Sequence, residues 1–218
     1  MKNILLLFLL GFIQIYSQDQ QIDSLNVEKL EEVLVSSVRV NEDIPMAFTN
    51  VSNDQIEERN LGQDLPILLN FLPNVVTTSD AGAGIGYTAI RIRGINAQST
   101  NVTINGIPYN DAESLGTFWV DLPDFSSSVE NLQVQRGIGT SVNGSSAFGA
   151  SINILTDKIS KDPFFETNNT FGSYNTFKNT LRFSTGFINE VFEFSGRLSK
   201  IDSDGYIDRS TSDLKSYF

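Results

Sequence analysis

From Val75 onward apolar and polar residues alternate in short runs, while the stretch just before it carries a helical period. Ser52 followed by Gln55 forms a capping box, and Leu61-Gly62 supplies a stop, so a short helix is predicted between them. Leu65, Leu68, Leu69 and Leu72 stand at i, i+3, i+4 and i+7, one stripe of a second helix. That helix tolerates Pro66 in its first turn and ends at Pro73. Strands follow. Thr88, Ile90 and Ile92 take one face, and Tyr87, Ala89, Arg91 and Arg93 take the other. Val102 and Ile104 lead into Asn105-Gly106, whose tolerance of positive φ predicts a tight hairpin to Ile107 and Tyr109. Pro123-Asp124 predicts the start of another helix. Leu132 with Val134, and Ile152 with Ile154, mark two further strands around a loop rich in glycine and serine, residues 137–149. Residues 38–157 are expected to fold as a small α+β domain, a mixed sheet with short helices.

Beyond Pro163 the alternating runs lengthen to about ten residues, the span of a tilted membrane-crossing strand. Phe165, Thr167, Asn169 and Phe171 share one face; so do Phe177, Asn179, Leu181 and Phe183, and then Phe192, Phe194, Gly196 and Leu198. Gly172-Ser173 and residues 186–190 supply turns, and Asp202-Ser203-Asp204-Gly205 a polar loop. The edge of a soluble sandwich would alternate in the same way.

The first residues read as an export signal, residues 1–18: Lys2, then an apolar run over residues 4–15, then Ser17 and Gln18 for cleavage. The run falls short of the roughly 20 residues of a spanning helix, and Asp19 and Asp23 follow it closely. Residues 19–37 form a polar tether ending in Glu31-Glu32-Val33-Leu34-Val35-Ser36-Ser37. These last residues suit either the first strand of the domain or pairing with the sheet edge of another protein.

Composition narrows the chemistry. Acidic residues outnumber basic ones 26 to 15, a net charge of -11, so no broad grip on nucleic acid is expected. There is no cysteine and no histidine, which removes disulfides, thiol catalysis, a lipid-bearing N-terminal cysteine and the commonest zinc and haem ligands. No cofactor and no metal site are implied, and a metal would arrive already chelated or bind through oxygen. A Ser-His-Asp or Cys-His set cannot assemble. The pairs Asp111 with Glu113 and Asp121 with Asp124 have the chemistry of acid and base, but acidic loop residues are usually solvated, and no enzyme is expected.

Gly82, Gly84 and Gly86 are similar to a phosphate-binding loop, yet the third glycine is misplaced and a strand, not a helix, follows at Tyr87. A mobile, ligand-accessible loop is the expectation there. The pairs Arg93-Gly94 and Arg136-Gly137 each close a short strand; Arg91, Arg93 and Arg136 are suited either to fork-shaped pairing with carboxylates inside a polar lumen or to exposed strand ends. Tyr109, Phe118 and Trp119, with Asp111 and Glu113, fit either a ligand-facing loop or, for Phe118 and Trp119, a core.

In order along the chain these blocks resemble the plug of TonB-dependent outer-membrane receptors, over residues 31–157. The blocks are the segment Glu31-Glu32-Val33-Leu34-Val35-Ser36-Ser37, similar to a TonB box; the leucine stripe ending in Pro73-Asn74-Val75; Ile90-Arg91-Ile92-Arg93-Gly94; Val102-Thr103-Ile104-Asn105-Gly106-Ile107-Pro108; and Val134-Gln135-Arg136-Gly137 through Gly144 to Phe148-Gly149-Ala150-Ser151-Ile152-Asn153-Ile154. Phe171-Gly172-Ser173-Tyr174 and Asp204-Gly205-Tyr206 look like the start of that family's barrel. Asn74 stands where the family usually has glycine, and Ala150-Ser151 replaces a common Gly-Gly or Gly-Val, so local turns could differ there.

The resemblance implies a receptor in the cell outer membrane, with plug and tether on the periplasmic side and surrounded by outer-membrane lipid. Its partners would be a TonB-type energy-transducing protein, grasping the TonB box by β-pairing, and a small-molecule chelate, most simply a ferric siderophore. Arg91, Arg93 and Arg136 would lock plug to barrel; Gly82, Gly84, Gly86, Tyr87, Tyr109, Asp111, Glu113 and Phe118 would face ligand. Residues 164–218 would be the first strands of an antiparallel transmembrane β-barrel. A plugged barrel needs about 22 strands, and an open set in lipid leaves backbone groups unpaired, so the chain is expected to be a fragment of a longer product. The alternatives are a truncated or repurposed plug acting as a non-transporting periplasmic binding module, and a nucleotide-using enzyme with phosphate at Gly82, Gly84 and Gly86.

Overall fold

The computed structural model describes residues 39–41, 43–138, 148–156 and 158–218. The export signal, the tether with the TonB-box segment, and residues 139–147 of the glycine- and serine-rich loop lie outside the described residues. All described residues fall within one compact unit, Val33–Phe218.

The first strand, β1 (Ala47–Ser52), runs directly into α1 (Asn53–Glu57). Ser52 caps that helix as its sequence predicts: its hydroxyl accepts from the Gln55 N–H, and the Gln55 side chain returns to the Ser52 N–H. The second helix, α2 (Leu65–Leu68), is a single turn, shorter than the leucine stripe. Pro66 withholds a donor, and the chain continues in i to i+3 bonds, Leu69 N–H to the Pro66 carbonyl and Leu72 N–H to that of Leu69. The stripe survives the change of helix type, because Leu65, Leu68, Leu69 and Leu72 are all buried. Asn74 then takes φ 64°, a left-handed conformation that asparagine tolerates better than most residues.

A two-stranded hairpin follows, β2 (Val75–Ser79) antiparallel to β3 (Thr88–Ile92). The alternating pattern of residues 87–93 holds only as far as Ile92. Arg93 has φ 55° and turns out of the strand, so Arg91 and Arg93 do not share a strand face. Next come β4 (Thr100–Ile104) and β5 (Ile107–Pro108), joined by Asn105 and Gly106 at φ 51° and 80°, the left-handed pair of a type I′ turn. The expected helix after Pro123 is a 3-10 turn, Phe125–Ser128, preceded by Asp124 in the left-handed region at φ 52°. Two long strands complete the sheet, β6 (Val129–Arg136) and β7 (Ala150–Thr156). Its order is β1-β6-β7-β4-β5, antiparallel except where β4 meets β7.

One face of this sheet is apolar. Val51, Val102, Leu132, Val134, Ile152 and Ile154 pack under the leucines of α2, Ile90 and Ile92 of the hairpin, Trp119 and Phe125, and burial of this area drives the fold.

The remaining residues form a separate antiparallel sheet in the order β11-β10-β9-β8: β8 (Phe164–Phe171), β9 (Phe177–Ser184), β10 (Ser195–Ser203) and β11 (Ser212–Tyr217). The third strand begins later than its apolar pattern suggests. Asp202 and Ser203 lie within β10 rather than in a loop, because they continue its register opposite Asp213 and Ser212. Polarity in this sheet is inverted. Phe165, Phe171, Leu198 and Tyr217 stand exposed on the outer face, while Lys178, Thr180, Arg197, Ser199 and Ser203 are buried on the inner face, against the first domain. No helix among the described residues is long and apolar enough to cross a membrane, which leaves strands untouched.

Candidate functional site

The inner face of β9 and β10 converges on one carboxylate of the first, α+β domain, expected from the sequence to be the plug. The left-handed turn at Asp124 aims its side chain out of the domain, and the Ser127 hydroxyl donates to Asp124 Oδ1 at 2.6 Å. From the strands, Lys178 Nζ approaches Oδ1 at 2.7 Å, and the hydroxyls of Thr180 and Ser199 each donate to Oδ2 at 2.6 Å. Arg197 Nη1 lies 3.4 Å from the same oxygen. Neither Asp124 nor Lys178 exceeds 1% side-chain exposure.

Charges removed from water this completely persist only when every one is paired and hydrogen-bonded. Lys178 meets that condition with two further bonds, to Asn60 Oδ1 at 3.0 Å and Ser127 Oγ at 3.2 Å. Arg197 donates through Nε to Ser128 Oγ at 2.7 Å and through Nη1 to Ser216 Oγ at 3.0 Å. Burial pushes the Asp124 carboxyl upward, but the Lys178 ammonium and the hydroxyls of Ser127 and Ser199 outweigh it and hold the group below the ordinary carboxylate value. Nearby, Arg182 reaches Glu166 at 3.5 Å and Glu57 at 3.8 Å, a second link between strand and plug.

The sequence placed Asp124 among solvated loop acids paired with Asp121; it is instead the most connected buried charge of the domain. The available signal was the polar face of residues 177–184, where Lys178, Thr180, Arg182 and Ser184 alternate with the apolar positions.

The glycine loop is held rather than mobile. Gly82, Gly84 and Gly86 all have positive φ, between 73° and 91°, and wind the chain back so that Gly84, Ile85 and Gly86 are buried. Gly84 accepts from the Asp64 N–H and donates to Ser79 Oγ, both at 2.9 Å. At its tip the Ala81 carbonyl accepts from the Tyr206 N–H at 2.8 Å, in the loop between β10 and β11. Tyr87 remains 65% exposed beside it. Beneath the loop, burial pushes the Asp64 carboxyl up to about 7, against the hydrogen bond that the Thr88 hydroxyl donates to it at 2.8 Å and the pull of the nearby Gly86 N–H.

Arg136 donates to Thr49 Oγ1 at 2.8 Å and to the Phe48 carbonyl at 3.3 Å, both within the plug. Burial, and Arg93 beside it, push its guanidinium below the usual value. The two arginines line a pocket of about 600 Å³ with Met46, Ile95, Ile138 and Phe148. Arg91 is exposed on β3. Asp111 and Glu113 form no acid-base pair: Asp111 Oδ1 accepts the N–H groups of Ser114 at 2.6 Å and Glu113 at 3.2 Å, and these bonds hold its carboxyl below the ordinary value. Trp119 belongs to the core, Tyr109 packs partly against it, and Phe118 is 48% exposed.

The chain is similar in sequence and fold to known proteins. The family model for the TonB-dependent receptor plug domain matches residues 40–151. The vitamin B12 transporter BtuB of Vibrio vulnificus is 28% identical over 183 residues, 83% of this chain and 29% of that protein. The probable TonB-dependent siderophore receptor PirA of Acinetobacter baumannii is 26% identical over 156 residues, covering 66% of this chain and 20% of that one. This chain therefore spans less than a third of the length of either relative. Among solved structures, the alcaligin outer-membrane receptor FauA of Bordetella pertussis superposes with a TM-score of 0.58 at 16% identity, over 74% of this chain and 27% of that one. On the plug match and its fold, the chain belongs to the TonB-dependent receptor family.

Proposed function

We propose that this chain is the front of an outer-membrane receptor that imports a scarce ligand, a ferric siderophore or another metal chelate, with energy supplied through a TonB-type protein. The observation that carries the reading is the polarity of the four-stranded sheet: Phe165, Phe171, Leu198 and Tyr217 stand outward, with charged Lys200, Asp202, Asp213 and Lys215 on that face only toward the β10–β11 loop, while Lys178, Arg197 and the hydroxyls turn inward against the plug. An exposed apolar band ending in charged residues is unfavourable in water and matches the surface of a strand that meets a bilayer and its interface. Residues 164–218 act as the first barrel strands, and further strands close the lumen around the plug.

In this mechanism Asp124 fastens the plug to the barrel wall through Lys178 and Arg197. Arg93 and Arg136, side by side at their pocket, take carboxylates from the wall strands that follow. Residues 1–18 direct export, and Glu31, Glu32, Val33, Leu34, Val35, Ser36 and Ser37 pair as a strand with the energy transducer. Tyr87, Phe118 and the tip around Gly82 offer exposed surface for ligand. The siderophore reading draws on the name of PirA; that of BtuB marks vitamin B12 as the competing cargo.

The test is uptake of radiolabelled ferric siderophores by cells carrying the full-length gene, with and without the transducer. Accumulation that needs both the transducer and residues 31–37 is expected. Uptake indifferent to either would overturn the proposal, as would a soluble full-length product.

A further inference from the structure

Val40 enters the plug at 4% exposure, held by a side chain rather than by a strand. Its N–H donates to Gln133 Oε1 at 2.8 Å, and its carbonyl accepts from Gln133 Nε2 at 2.9 Å. These are the two bonds that facing residues exchange in an antiparallel pair, here supplied by an amide side chain. The same Nε2 donates to Asn50 Oδ1 at 2.8 Å, and Gln135 Nε2 donates to Gln133 Oε1 at 2.9 Å. Arg39 adds bonds to the carbonyls of Asn153 at 3.1 Å and Asn131 at 3.5 Å. Beyond Val40 the chain makes local turns, Ile44 N–H to the Asn41 carbonyl and Met46 N–H to that of Ile44, until β1 joins β6 at Ala47.

Gln133 lies on the sheet face opposite Leu132 and Val134. That face is polar and yet buried: Thr103, Gln133, Gln135, Ser151 and Asn153 are all 3% exposed or less.

We propose that Gln133 is the coupling residue between tether and plug, a latch that opens when the N-terminal segment is pulled; this rests on the receptor reading above. Tension applied upstream of Arg39 meets the Arg39 bonds to the Asn153 and Asn131 carbonyls and then the Val40 pair before it reaches β1, and these few hydrogen bonds yield more readily than the six-residue register of β1 on β6. The load then enters β6, a strand paired on both sides, and not the turn that carries Asp124. Once open, the Gln133 amide sits on a polar face whose groups water can satisfy, so the latch recloses when tension falls.

The test is force spectroscopy on the full-length receptor in a lipid bilayer, pulled by an N-terminal handle. Wild type should give a weak first rupture and then a stronger one as β1 leaves. Gln133→Ala should lose the first and keep the second. Gln133→Glu, which keeps the acceptor for Val40 N–H but loses the donor, should retain the first at reduced force. Amide exchange at Val40 should rise at least about tenfold in Gln133→Ala, with Leu132 unchanged. An unaltered first rupture in Gln133→Ala would overturn the latch. So would loss of the second rupture in both variants, since Gln133 would then be holding the sheet together instead of coupling to it. No transducer or cargo takes part, so failure here leaves the uptake experiment to judge the receptor reading separately.

Discussion

Asp124 and Lys178 meet at 2.7 Å across the boundary between plug and strand sheet, and no other part of either side chain reaches solvent. A neutral amide at position 124 would leave two cations facing a site built for an anion. Asp124→Asn in the full-length receptor should weaken plug retention by about 3 kcal/mol, the cost of breaking one partner out of a buried pair. Lys178→Met should cost a similar amount, and the double variant less than the sum, read from denaturant-induced loss of plug protease protection. Because the folded carboxyl lies below its ordinary value of 3.8, this stabilisation is complete above that value and fades as pH falls below it. Plug protection should therefore drop in acid for wild type and stay flatter for Asp124→Asn.

Asp64 has the opposite sign. Its carboxyl is raised from 3.8 to about 7, so the folded state holds the proton more tightly than the unfolded chain does. Stability should decline as pH rises between those two values and level off above about 7. Asp64→Asn, which keeps an acceptor for Thr88, should flatten that decline in a melting series across pH.

Gly149 has no room for a side chain. A Cβ there would stand 2.8 Å from the Ser99 carbonyl oxygen, a backbone atom that cannot swing aside, and the Gly149 N–H already donates to that oxygen at 2.9 Å. Gly149→Ala should destabilise the plug by about 1–3 kcal/mol, visible as a lower denaturation midpoint.

Leu198 is 56% exposed on the outer face of β10, opposite Leu181 and Tyr217. If that face meets lipid, Leu198→Arg should cost about 2–4 kcal/mol near the bilayer midplane and reduce heat-modifiable, correctly inserted receptor in membranes. Lys200→Ala, a few residues along the same face, should be tolerated.

Much of the plug was legible because its signals are local. The Ser52–Gln55 capping box, the Asn105-Gly106 turn and the leucine stripe each depend on neighbours within a few residues, and each appears in the structure. The length of α2 was not legible, since continuing a helix or tightening into 3-10 turns buries the same leucines. Asp124 was hidden for a different reason. Apart from Ser127, its partners lie 54 to 75 positions away on strands whose apolar face dominates the pattern, and an acid beside Pro123 looks the same whether solvated or buried. The glycines of the 82–86 loop marked a segment free of side-chain constraint but said nothing of direction, and the chain turns inward there.

The strand side chains that grip Asp124 are a lysine, an arginine and two alcohols, all groups that water solvates well. In the barrel proposed above, a wall lined this way would not lose its contacts when the carboxylate leaves, because solvent can take its place at each one. Such a wall would suit a folded domain and a column of water alike, so displacement of the domain would not require the strands to take a new shape.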